Sequence, residues 1–319
     1  MKTCIDVFSG FLGAGKTMLI KKLINEKLIN ENIVIIENEF GEVGIDASIL
    51  RKSSIVVKEI NAGCICCTVA GDFNKAIKEV VDKYKPVRII IEPSGVAKLS
   101  EIITACKNED LKDLVSLNMI ITVIDVLKFD MYITNFGEFY KNQIINAKTI
   151  ILSRSQYATD EKVLKTVERI QRINNKANIV TTQWDKIKAH TIIEIAEKSF
   201  EQSSLEQVNL IKKPLNAAML KKSSNHNANE VFQTWGIETP KVISKEKLSN
   251  VLNKIKDDKL YGTVLRAKGI IQTSENHWIQ FDYVPEEIEM RTTTPDYTGR
   301  ISVIGSNLDK SNLKTLFLT

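Results

Sequence analysis

Ser9-Gly10-Phe11-Leu12-Gly13-Ala14-Gly15-Lys16-Thr17 fits the pattern GxxxxGK[ST]. It stands between an apolar run, Cys4-Ile5-Asp6-Val7-Phe8, and a segment with apolar residues at helical spacing, Met18-Leu19-Ile20-Lys21-Lys22-Leu23-Ile24. A buried strand, a glycine-rich turn and a helix in that order predict a phosphate-cradling loop, and hence a nucleoside triphosphate as ligand. Glycines let backbone N–H groups close around phosphate oxygens, and the N-terminus of the following helix favours the anion. Lys16 supplies a point charge to the β- and γ-phosphates, and Thr17 a hydroxyl ligand for Mg²⁺. Gly10, Gly13, Ala14, Gly15 and Met18 complete the expected lining. A turn that only caps a helix has no need of Lys and then Thr directly after Gly15.

Short apolar runs alternate with amphipathic stretches as far as about Thr182, which predicts a parallel sheet wrapped by helices. The expected strands are Ile33–Ile36, Ile55–Glu59, Val87–Ile91, Met119–Ile124, Thr149–Leu152 and Asn178–Thr181, with helices near Asp72–Tyr84, Leu99–Cys106 and Asp160–Ile173. From Lys198 to Asn229 this rhythm is lost in Ser203-Ser204, Lys212-Lys213-Pro214 and Lys221-Lys222-Ser223-Ser224, which reads as a connector. Beyond it, strands near Val231–Glu238, Thr263–Gln272, His277–Tyr283 and Arg300–Gly305 and helices near Lys245–Lys256 and Ser311–Leu316 predict a small α+β domain. The expected fold is therefore α/β, a P-loop NTPase with a doubly wound, mostly parallel sheet in residues 1–198. A connector follows in 199–229 and a second, smaller α+β domain in 230–319.

Composition narrows the function classes. With 43% hydrophobic and 26% charged residues the chain reads as an ordinary globular protein, and the absence of an apolar run of membrane-spanning length predicts no membrane partner. The N-terminus enters the first strand with no signal-peptide pattern, so a cytoplasmic location is expected. The net charge of +5 comes from lysines scattered among acidic residues, which argues against nucleic acid as partner.

Three segments carry further chemistry. Glu37-Asn38-Glu39-Phe40-Gly41-Glu42-Val43-Gly44-Ile45-Asp46 sets four carboxylates beside two glycines at a strand end, where they could serve Mg²⁺, orient water, reach a second metal or simply be solvated. Gly63-Cys64-Ile65-Cys66-Cys67 places three thiols within four residues, a cluster suited to Zn²⁺, Cu⁺, Co²⁺ or Ni²⁺. A closed structural zinc site needs four protein ligands, and no second CxxC or HxxxH is present, so this set suits a metal that must leave. Inert buried cysteines or a redox pair are the competing readings. Ile89-Ile90-Ile91-Glu92-Pro93-Ser94-Gly95 ends an apolar strand in a carboxylate at the carboxyl edge of the sheet, where ligands of such folds bind. Glu92 is there expected to order the Mg²⁺ shell or the attacking water, with Gly95 near the γ-phosphate.

After the strand Thr149–Leu152 comes Ser153-Arg154-Ser155-Gln156, where guanine-reading P-loop proteins usually show Asn/Thr-Lys-x-Asp. Gln156 lacks the charge of that Asp. Arg154 can stack its guanidinium on a purine, so Ser153, Arg154 and Gln156 are the expected base-side residues, for GTP with ATP also accepted.

Taken together, Gly10–Thr17, Glu37–Asp46, Gly63–Cys67 and Glu92–Gly95 closely resemble the CobW family of SIMIBI-class P-loop GTPases, relatives of the nickel-insertion GTPases of urease and hydrogenase. Tyr261–Gly269, Trp278–Phe281 and Ile304–Leu308 resemble that family's C-terminal domain. The resemblance implies a GTPase that carries a transition metal to a client metalloenzyme or cofactor-synthesis protein; slow turnover is expected because no cis arginine finger can be named from the sequence, and thiolate ligands rank Zn²⁺ before Co²⁺ or Ni²⁺. It also allows a nucleotide- or metal-dependent homodimer. By the same resemblance Cys64, Cys66 and Cys67 are metal ligands with Glu37 or Glu42 as extra contacts, while Lys16, Glu39 and Glu92 serve catalysis. An activator of a cobalamin or corrinoid enzyme and a metal or redox sensor with little turnover are the alternatives. The chain departs from the family in having only His190, His226 and His277, without the histidine-rich tract that many members carry.

Overall fold

The computed structural model describes residues 2–37, 56–59, 70–198, 231–274, 277–296 and 298–318, which form two bodies, each with its own sheet. The expected connector 199–229 lies outside the described residues.

The first body is built on seven strands: β1 (Thr3–Gly10), β2 (Ile33–Glu37), β3 (Val56–Glu59), β4 (Arg88–Glu92), β5 (Val115–Asp125), β6 (Thr149–Ser153) and β7 (Asn178–Val180). Their order is β3-β2-β4-β1-β5-β6-β7, and every pairing is parallel. Helices cover both faces, so the central strands have no solvent side and read as unbroken apolar runs, such as Ile89-Ile90-Ile91. The helix Ala70–Tyr84 buries Phe73, Ile77 and Val80 at helical spacing against Ile36, Ile89 and Ile91. Leu99 and Ile102 of the helix Leu99–Cys106 join the same core. Elsewhere Phe11 meets Tyr132 and Phe136 with ring centroids 4.5 and 5.4 Å apart, which fixes the loop after β1 against the helices Phe129–Asn135 and Gly137–Asn146.

Near the amino ends of the strands, buried Asp6 is ion-paired with Arg88 and accepts a 2.9 Å hydrogen bond from Asn118. Arg88 also donates to Glu31 at 3.0 Å and lies 3.5 Å from Glu197, so three carboxylates surround one guanidinium. Burial pushes the Asp6 carboxyl up to about 6, with Arg88 pulling the other way. Burial disfavours the charged Arg88 too, but Asp6 and Glu31 outweigh it and keep the guanidinium charged.

The second body has an antiparallel sheet of order β11-β10-β9-β12-β8, from β8 (Gln233–Thr239), β9 (Thr263–Gln272), β10 (Trp278–Val284), β11 (Glu287–Thr293) and β12 (Gly299–Ser306). The helices Lys245–Lys254 and Lys310–Leu318 bury Leu248, Leu252, Leu313 and Phe317 in one core with Trp235, Phe281 and Val303. In the middle of the sheet a Cβ on Gly269 would come within 2.2 Å of the Phe281 ring, so only glycine leaves that ring its place.

Several elements differ from the sequence expectation. The helices Phe129–Asn135, Gly137–Asn146 and 189–198 were not anticipated, nor was β11. β11 is a partly exposed edge strand, Glu287-Ile288-Glu289-Met290-Arg291, in which Ile288 and Met290 alternate with charged residues and pack against the core, so its signal is a short one of two apolar positions. The first helix starts at Lys16, inside the glycine motif, and its continuation Ile24–Leu28 is wider than an α-helix.

Candidate functional site

The site is assembled where β1, β2, β4, β5 and β6 end. Gly10, Gly13 and Gly15 have φ of +144°, +68° and +100°, values that L side chains rarely adopt, so the loop needs glycine at these three positions. Gly10 has a second reason: a Cβ there would lie 2.5 Å from the Val123 carbonyl oxygen of β5. Ala14 closes the turn by donating its N–H to Phe11 O at 3.2 Å.

Lys16 is buried and folds back over its own loop, donating to Gly10 O at 3.0 Å and Phe11 O at 3.4 Å. The ammonium therefore already stands at the mouth of the phosphate cradle. Thr17 donates its hydroxyl to Glu92 Oε1 at 2.8 Å. Glu92 closes β4, Glu37 closes β2, and the two are register partners in neighbouring parallel strands. Two buried carboxylates and a hydroxyl supply hard oxygen donors, the set that fits Mg²⁺ beside a triphosphate. Met18, by contrast, is 58% exposed.

Gly95 is pressed against the phosphate loop: a Cβ would lie 2.7 Å from Leu12 N and 2.9 Å from Leu12 Cα. Gln143, fully buried on the helix Gly137–Asn146, donates to both Gly95 O and Ala97 O at 3.0 Å and holds this segment from behind.

On the other flank Arg154 has φ of +57° and donates to Gly13 O at 2.9 Å, while its guanidinium lies 3.2 Å from Asp125 Oδ2. Burial raises the Asp125 carboxyl above its ordinary value, opposed by Arg154, Lys128 and the N–H groups of Leu127 and Lys128. Ser153 is buried on β6 with its hydroxyl 3.4 Å from Ile124 O, and Gln156 is exposed on the turn Ser155–Tyr157. The structure thus brings Gly10, Gly13, Gly15, Lys16, Thr17, Glu37, Glu92, Gly95, Ser153 and Arg154 to one end of the sheet. Glu39, Glu42, Cys64, Cys66 and Cys67 lie outside the described residues. Among the described residues no group of three or more His, Cys, Asp or Glu is arranged to hold a metal ion, and no helix is long and apolar enough to cross a membrane.

Sequence reasoning missed Asp125, Gln143 and Trp184. Asp125 had a signal, a carboxylate ending an apolar strand as Glu92 does. Gln143 and Trp184 carry no motif, and only the three-dimensional arrangement brings them to the loop.

Residues 4–181 match the model described as CobW/HypB/UreG, nucleotide-binding domain, and residues 232–319 match the cobalamin synthesis protein cobW C-terminal domain. Over 183 residues the chain is 31% identical to the zinc chaperone YjiA of Escherichia coli (strain K12), covering 56% of each protein. It is 27% identical over 190 residues to the zinc chaperone YeiR of the same organism, 60% of this chain and 58% of that one. These two matches span little more than half the length of each relative. Zinc-regulated GTPase metalloprotein activator 1 of Schizosaccharomyces pombe is 24% identical over 344 residues, covering 96% of this chain and 83% of that protein. With the nucleotide-binding model spanning more than half of its residues, the chain belongs to the CobW family.

Proposed function

We propose that this chain is a GTP-hydrolysing metallochaperone that carries a transition metal ion, zinc first, on Cys64, Cys66 and Cys67 and passes it to a client protein. The observation that carries the reading is the joining of Thr17 to Glu92, with Glu37 beside it in register, next to a lysine seated in a glycine loop. That arrangement suits in-line attack of water on a γ-phosphate: Lys16 neutralises phosphate charge, Thr17 holds Mg²⁺, and Glu92 with Glu39 orders Mg²⁺ or water. Thr17, with the Glu92 carboxylate beside it, would hold Mg²⁺, which would offset charge developing on the phosphate oxygens. Ser153, Arg154 and Gln156 line the base side, and Glu37 or Glu42 adds a contact to the cargo metal. The relatives named zinc chaperones support zinc as that cargo.

Hydrolysis then serves as a switch. Glu37 ends β2 at the Mg²⁺ side, and the acidic segment it opens runs in sequence toward the cysteines, so the nucleotide state is linked to thiolate geometry and metal release. The test is an anaerobic competition of Zn²⁺ against a chromophoric chelator, with GTP or GDP bound. One tight Zn²⁺ is expected, lost in the triple Cys64→Ser, Cys66→Ser, Cys67→Ser variant and weaker in one nucleotide state than in the other. Equal zinc affinity in both nucleotide states, or tight zinc binding retained by the triple variant, sinks the proposal.

A further inference from the structure

Trp184 stands four residues after β7 and belongs to no motif, yet it touches the phosphate loop. Its indole N–H donates to Leu152 O at 2.9 Å, on β6 just before Ser153 and Arg154. A Cβ on Gly15 would lie 3.2 Å from Trp184 Cη2 and 3.7 Å from Cζ3, so the six-membered ring rests against the loop itself. Arg154 reaches the neighbouring Gly13 O at 2.9 Å. Two glycines of the loop thus each meet one side chain, a guanidinium from the end of β6 and an aromatic ring from beyond β7.

The sheet order gives this placement its meaning. β5, β6 and β7 lie on one side of β1, and Arg154 and Trp184 flank the loop on that side, so a ligand with its phosphates at Gly10–Thr17 that extends along those strand ends would meet both. The part of a nucleotide beyond its phosphates is a ribose and a planar purine, for which an aromatic ring is the matching surface. Trp184 is half-buried, with its indole N–H bonded to Leu152 O and its ring beside Gly15.

We propose that Trp184 is an affinity-determining residue for the nucleoside half of the nucleotide, its indole forming the apolar wall against which ribose and purine pack. The inference rests on the nucleotide-binding part of the reading above.

The experiment uses the composition of the chain. The other two tryptophans, Trp235 and Trp278, lie in the second body, so the double variant W235F/W278F leaves Trp184 as the sole tryptophan. Titration of that protein with GDP is expected to change the emission, and titration with pyrophosphate to leave it nearly unchanged. In the otherwise native chain, Trp184→Ala is expected to weaken GDP binding about tenfold, the scale of one base–aromatic stack, with pyrophosphate affinity kept within about twofold. GDP binding detected by calorimetry with no change in Trp184 emission overturns the inference. So does a Trp184→Ala protein that binds GDP as the native chain does, or one that loses GDP and pyrophosphate equally, since either makes Trp184 a support of the loop alone. If Trp184→Ala fails to fold, the emission experiment decides by itself. A native chain that binds no nucleotide by calorimetry overturns the nucleotide reading, a failure distinct from nucleotide binding that ignores Trp184.

Discussion

The Thr17 hydroxyl donates to Glu92 Oε1 across 2.8 Å, so the first turn of the helix after the phosphate loop is tied to the end of β4, seventy-five residues away in sequence. In Glu92→Gln the amide oxygen still accepts that bond, and only the charge is lost. GTP affinity should therefore stay close to that of the native chain, while turnover falls on the order of 10²–10⁴-fold, the range for a positioned proton acceptor. Single-turnover hydrolysis with saturating GTP separates the two effects. A Glu92→Gln protein that turns over normally removes Glu92 from the chemistry.

Gly95 and Gly137 make a paired prediction. A Cβ at Gly95 would strike the Leu12 backbone at 2.7 and 2.9 Å, whereas at Gly137 the nearest atoms are Cε and Nζ of flexible Lys141 at 3.8 and 3.9 Å. Gly95→Ala should destabilise the protein by about 1–3 kcal/mol through overpacking and depress hydrolysis with it. Gly137→Ala should leave hydrolysis intact and add at most about 0.4–1 kcal/mol, since Gly137 opens its helix and the gain comes mainly from a less flexible unfolded chain. Urea unfolding followed by circular dichroism reads both.

Gln156 is exposed beyond β6, and its neutral amide offers one acceptor and one donor to a purine edge. Replacing it by Asp supplies a charged acceptor for the guanine N1 and N2 hydrogens and nothing comparable for adenine. Gln156→Asp should sharpen the preference for GTP over ATP by roughly 1–3 kcal/mol. Calorimetric titration of both nucleotides against both proteins checks it. A native chain that already rejects ATP by orders of magnitude assigns base reading to other groups.

Arg88→Ala leaves Asp6 buried without its guanidinium, a change expected to cost about 3–5 kcal/mol at neutral pH. Its pH dependence has a definite sign. The Asp6 carboxyl sits at about 6 in the folded protein against an ordinary 3.8, so the folded state holds that proton more tightly. Stability from this group is fully present below about pH 3.8 and is lost as pH rises through about 6. Without Arg88 the folded-state value moves higher still, so the penalty should shrink on acidification toward about pH 5. Chemical denaturation of both proteins across that range measures it. A pH-independent difference would mean that Asp6 does not titrate there.

The parallel sheet was legible because strands covered on both faces must be apolar throughout, and Ile89-Ile90-Ile91 or Thr149–Leu152 announce themselves. Gly10–Thr17 was legible because the backbone and side-chain requirements of a phosphate cradle fall on adjacent residues. The helices Phe129–Asn135 and Gly137–Asn146 were not, since their Phe and Tyr residues bury against Phe11, a partner more than a hundred positions away that no local period reveals. Gln143 and Trp184 were hidden for the same reason. Each acts on a backbone carbonyl, and carbonyls leave no trace in a sequence. The edge strand β11 did carry a period of two, Ile288 and Met290 between charged residues, but two apolar positions are too few to stand out beside the long apolar runs.

The two hydrogen bonds from Gln143 to the Gly95 and Ala97 carbonyls make the segment after Glu92 behave like a latch and not like a spring. A displacement of Gly95 toward a ligand would strain its bond to the fully buried Gln143 amide, which weakens as its geometry worsens. Loss of either bond would leave buried groups unsatisfied, a cost that favours the segment staying against Leu12 until a new arrangement takes them up. A segment latched in this way is expected to shift in steps, and the helix Gly137–Asn146, which carries Gln143, is the handle through which a force on its outer face would reach the loop at Leu12.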